Sequence, residues 1–117
     1  MHRVMRIPGA DDAIVDPFKV LNYLLSPVHE TGRQKARFFA TLGYNRSNWT
    51  TFAAELRSHA LSEKAQHTET AFFGTKYTVA QPVTGPSGRS AIIVTVWIVR
   101  PEERRPRLVT AYQGRLR

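Results

Sequence analysis

In Ala91-Ile92-Ile93-Val94-Thr95-Val96-Trp97-Ile98-Val99 every side chain after Ala91 is β-branched or aromatic. Such a run suits a pleated strand and carries no helical period. Alternation sends Ile92, Val94, Val96 and Ile98 to one side, and Ala91, Ile93, Thr95, Trp97 and Val99 to the other. The first set is apolar throughout, so it is expected to face the core. Thr95 and Trp97 are then expected on an open sheet face. The alternative is a strand buried on both sides.

Downstream, residues 101–106 are bounded by prolines and read as a loop, and residues 107–112 read as a final strand. Upstream, residues 81–89 hold Pro82, Gly85-Pro86 and Gly88, which mark a turn. Residues 68–79 are rich in Thr, Phe, Tyr and Val, with Gly74 near the middle. They read as two short strands or as one strand bulged at Gly74. Before residue 63 the period is helical. Trp49, Phe52, Ala53, Leu56 and Ala60 make one stripe, predicting a helix over 47–61. Another is predicted over 31–42, stopped by Gly43. A first one opens at Asp16-Pro17, with an N-cap acid and Pro in first position, and ends near Ser26-Pro27. Residues 13–15 could add a short strand. Helices first and strands last predict an α+β domain, with about three N-terminal helices on one face of a four-stranded antiparallel sheet.

With 117 residues the chain is the size of one domain, expected to have its core at about 7–112 and a basic tail at 113–117. It has no cysteine, which excludes disulfides, thiolate metal sites and cysteine nucleophiles. No apolar run spans a membrane and no secretory signal opens the chain, so a cytoplasmic location without membrane contact is expected. The formal charge is +8. It is uneven: residues 33–46 hold Arg33, Lys35, Arg37 and Arg46 with no acid, and residues 100–117 hold six Arg against Glu102 and Glu103. A small domain this basic attracts polyanions, of which nucleic acid is the commonest, although solubility alone also accounts for charge.

Lys35 is the most informative single residue. At about 100° per residue it falls near the centre of the apolar face made by Phe38, Phe39 and Leu42. A lysine there must snorkel, pair with an anion or line a cleft. Arg33 and Arg37 lie on the other side. His29 precedes the same helix; it is either a cap or a proton acceptor beside Lys35 and Arg33. Thr110 and Tyr112 put two hydroxyls on one side of the last strand. His59 reads as a satisfied, partly buried histidine. The four histidines lack the spacing of a zinc site, and no Walker A or Gly-x-Gly-x-x-Gly run occurs, so neither metal nor nucleotide cofactor is expected.

Tyr23-Leu24-Leu25, His29, Gly32, Lys35-Ala36, Phe38-Phe39 and Leu42-Gly43 resemble the N-terminal signature of a bacterial family of unassigned function. Phe73-Gly74, Tyr77-Thr78-Val79, Gly88-Arg89, Val96-Trp97 and Leu108-Val109-Thr110-Ala111-Tyr112 resemble its C-terminal signature. Gln113 stands where that pattern has proline. The layout is similar to the barnase, EndoU, colicin and RelE group of toxin ribonucleases. That likeness implies a metal-independent site in which Thr110 and Tyr112 join His29 and Lys35. It also implies a cognate antitoxin or immunity protein as partner.

The leading expectation is therefore a small toxin-like ribonuclease. His29 takes a proton from a ribose 2′-hydroxyl, Lys35 and Arg33 stabilise phosphate charge, and Thr110 and Tyr112 position the phosphate. Trp97 offers a stacking face and Arg107 a further phosphate contact. Two rivals use the same residues: a non-catalytic nucleic-acid-binding module, and a protein-interaction domain in which Lys35 pairs with a buried acid such as Asp16.

Overall fold

The computed structural model describes residues 4–115. Five strands form one antiparallel sheet in chain order: β1 (Val4–Met5), β2 (Ala65–Ala71), β3 (Gly74–Thr84), β4 (Ser90–Val99) and β5 (Pro106–Gln113). The sequence predicts four. The additional strand, β1, is two residues paired with Ala65 and Gln66, too short to show an alternation. Residues 13–15 contribute only a parallel bridge from Ile14 to Arg107. The two-strand reading of residues 68–79 is the one observed. β3 also runs on through Pro82, which the sequence placed in a turn. Beyond Thr78, β3 pairs only with β4 in the register, so its other side is an edge and tolerates proline.

Three helices lie between β1 and β2. The Asp16 carboxylate accepts the Phe18 N–H at 2.9 Å and opens α1 (Pro17–Lys19). This runs on into a wider turn over Val20–Leu24, where Leu25 N–H reaches the Val20 carbonyl five residues back. α2 (Arg33–Thr41) stops before Gly43, whose φ of 96° turns the chain away. α3 (Trp49–His59) follows a capping box made by Asn45 and Asn48.

The side preference of β4 is the reverse of the expected one. Ile93, Thr95 and Trp97 are fully buried, whereas on the opposite face Ile92, Val94 and Val96 are half-buried and only Ile98 is buried. Tyr77 and Val79 on β3, and Leu108 and Ala111 on β5, share the buried face by register. A bulge opposite Val96 and Trp97 keeps both Leu108 and Ala111 inward. Hydrogen bonding explains the choice. Trp97 Nε1–H donates to Thr95 Oγ1 at 2.8 Å, and that oxygen lies 3.4 Å from His59 Nδ1 on α3. With its polar atom satisfied inside, the largest side chain in the strand goes to the core beside Phe39, Phe52 and Leu56.

β5 also extends further than predicted. Gln113 pairs with Ile93, and Gly114 N–H donates to the Ile92 carbonyl at 2.8 Å, so these two residues belong to the sheet and not to a tail. Leu116 and Arg117, the end of that expected tail, lie outside the described residues.

Candidate functional site

β5 is the last strand of the sheet, and α1 and α2 meet it along its outer edge. Lys19 Nζ donates to the Val109 carbonyl at 2.8 Å, which ties α1 there. Thr110 and Tyr112 stand opposite Val96 and Val94, so they point away from the core that Ala111 enters. The helices reach both. The hydroxyls of Tyr23 and Thr110 are 3.2 Å apart. Lys35 Nζ lies over the Tyr112 ring, 5.4 Å from its centroid, a cation–π distance. The Tyr23 ring in turn meets the His29 ring edge-on, with centroids 5.0 Å apart. His29 thus joins Thr110 through Tyr23, and Lys35 joins Tyr112 two residues further along the same strand.

Gly32 makes this approach possible. A methyl group on it would sit 2.0 Å from the Tyr23 carbonyl oxygen, so any larger residue pushes Tyr23 off the start of α2.

The surroundings of His29 select one neutral tautomer. Its Nδ1 accepts the N–H groups of Thr31 at 3.1 Å and Gly32 at 3.0 Å. These N–H groups belong to the turn just ahead of α2, so the imidazole braces that turn. Because Nδ1 accepts, a neutral ring carries its proton on Nε2. In this arrangement Nε2–H is a donor, whereas the proton-acceptor role expected of His29 requires a bare ring nitrogen. Lys35 is half-buried, whereas Arg33 is exposed and lines a cleft on the other side of α2 with Ala36 and Ala40, so the expected pairing of Arg33 with Lys35 at one site is corrected. Lys35 has no ion-pair partner among the described residues, and Asp16 is occupied with capping α1.

Besides Arg33, two expected site residues stand apart from this cluster. Trp97 has no exposed surface, so it cannot stack on a base; that expectation is corrected by the reversed strand face. Arg107 is held by Glu103 at 2.6 and 3.2 Å. That hydrogen-bonded pair holds the Glu103 carboxyl below its ordinary range and raises the Arg107 guanidinium further, so the charge of Arg107 is largely answered. Tyr23 and Lys19, by contrast, belong to the cluster without having been assigned a role from the sequence. Tyr23 stood in the N-terminal signature, the one signal that pointed to it.

Among the described residues no three His, Asp or Glu side chains gather as metal ligands would. No described helix is long and apolar enough to cross a membrane.

No curated protein matches the chain. A chain of a solved contact-dependent growth inhibition toxin–immunity protein complex from Klebsiella pneumoniae 342 has the same fold. Its TM-score is 0.69 at 17% sequence identity, over 92% of this chain and 98% of that one. Identity that low speaks for the fold alone. Residues 6–115 match the family described as a domain of unknown function, DUF6883, and the chain belongs to that family.

Proposed function

We propose that this chain is a toxin-type domain that cleaves RNA phosphodiesters without a metal ion, at the cluster along the β5 edge. The observation that carries the reading is that two sets of contacts, His29–Tyr23–Thr110 and Lys35–Tyr112, end two residues apart on the same face of β5. The charge of +8 favours a polyanionic substrate, and the shared fold with a chain from a toxin–immunity complex fits the same class.

In this reading the ribose 2′-oxygen attacks phosphorus and the 5′-oxygen leaves, producing a 2′,3′-cyclic phosphate. The Lys35 ammonium offsets the charge that grows on the phosphoryl oxygens. The Nε2–H of His29 donates to one of them. The Thr110 and Tyr112 hydroxyls fix the phosphate, and Tyr23 fixes Thr110. With the imidazole acting as a donor, the 2′-proton passes to hydroxide and the departing oxygen takes a proton from water. The rate should then rise about tenfold per pH unit through neutrality, without the bell shape of an acid–base pair. An acidic immunity protein covering this edge would complete the system.

The test is incubation of the purified chain with end-labelled RNA in a chelating buffer. Fragments ending in 2′,3′-cyclic phosphate support the reading, and intact RNA rejects it. The occupied Nδ1 of His29 favours one rival, a module that binds RNA without cutting it. That rival predicts intact RNA together with steeply salt-dependent binding.

A further inference from the structure

The face of α2 opposite Lys35 borders a second concavity. It is a cleft of about 470 Å³ between the end of α1's wide turn, α2 and the segment leading to α3. Leu25, Ala36 and Ala40 give it apolar walls, and Arg33, Arg37 and Arg46 stand around it. No acid lines it, and the sequence from Thr31 to Ala54 contains none. Arg33 and Arg37 make no ion pair among the described residues. Arg46 donates to the Leu21 carbonyl, which holds it at the cleft. Arg37 also lines a neighbouring depression of about 420 Å³ with Arg89 and Gln113, so positive charge continues along α2.

Three guanidiniums without a carboxylate repel one another and gain from an anion shared between them. Apolar walls beside them suit a flat, weakly polar group more than a simple inorganic ion. Together they fit one nucleotide, with its base against the alanine face and its phosphate between the arginines. The volume is that of a small-molecule site. We propose that this cleft holds a nucleotide of single-stranded RNA flanking the scissile phosphate. The strand leaves the β5 edge and passes the first turn of α2 to reach Arg33 in the cleft. The assignment rests on the RNA-cleaving reading for its substrate, and the cleft itself takes no part in chemistry.

The test uses binding of a fluorescent 2′-O-methyl RNA octamer, whose blocked 2′-oxygens prevent cleavage. Failure of the cleavage reading therefore leaves this measurement intact. Arg37→Glu should weaken binding about tenfold or more and flatten the salt dependence by about 0.7 in log–log slope, as for one lost phosphate contact. Arg57→Glu, the same charge change on the exposed side of α3, should leave the slope unchanged. Arg37→Gln provides the milder variant and should move in the same direction. Equal effects of Arg37→Glu and Arg57→Glu would overturn the proposal, because only net charge would then matter. Absence of binding by the native chain would also overturn it. So would native affinity for the octamer in Arg37→Glu.

Discussion

Two clusters in this molecule use nearly the same side chains. Under α3, His59, Thr95 and Trp97 are joined by contacts of 3.4 and 2.8 Å, and none has exposed surface. Along β5, His29, Tyr23 and Thr110 are joined through an aromatic contact and a 3.2 Å hydroxyl pair, and all three reach solvent. The buried trio contains no lysine or arginine, whereas the edge trio lies beside Lys35 and Lys19. Residue type alone therefore says little about role. Burial without cations makes a histidine–threonine–aromatic set part of the core, and exposure beside cations makes it a place for an anion.

The sharpest way to break this contrast is to remove the inner aromatic. Trp97→Ala should cost about 3–5 kcal/mol of stability by urea denaturation, with RNA cleavage per folded molecule unchanged. A fall in activity beyond the unfolded fraction would place the inner trio in function.

The next effect comes from acid. Burial pushes the His59 imidazole down to about 4 from its ordinary value of 6.5. The unfolded chain binds the proton first, so stability is full above pH 6.5 and falls as pH drops toward 4, by about 3 kcal/mol in all. Urea midpoints across that range check it, and His59→Leu should remove this contribution. A native chain as stable at pH 4 as at pH 7 would mean that the half-exposed Glu55, 3.7 Å from Nε2, takes up the new charge.

The smallest effect belongs to the edge. Tyr23→Phe deletes the hydroxyl that holds Thr110 and should lower stability by only about 1 kcal/mol. RNA cleavage should still fall about tenfold in kcat with KM little changed, as for a group that orients the phosphate's partner. Equal losses in both trios would erase the distinction between them.

What the sequence showed and concealed follows the same division between local and distant. Asp16-Pro17 and Gly43 marked helix ends because capping is decided within a few residues. The strand at 91–99 was legible as a strand, but its inward side was not. Both of its rows are largely apolar, and the choice rests on a hydroxyl meeting a histidine 36 positions away. Lys35 stood out because a charge in an apolar stripe is locally odd, whereas the Tyr112 ring beneath it emerges only in three dimensions. Tyr23 was hidden among helix residues because its partner, Thr110, is 87 positions distant. β1 had too few residues to show a period.

The edge cluster is proposed to cut RNA. The most direct measurement compares cleavage by the native chain, Lys35→Ala, His29→Ala and Tyr112→Phe in chelating buffer, at matched folded fractions because His29 also braces the turn before α2. The account predicts a loss of about 100-fold for Lys35→Ala, as for removal of one charge-stabilising donor, and at least about tenfold for the other two. Native rates in all three variants would contradict it.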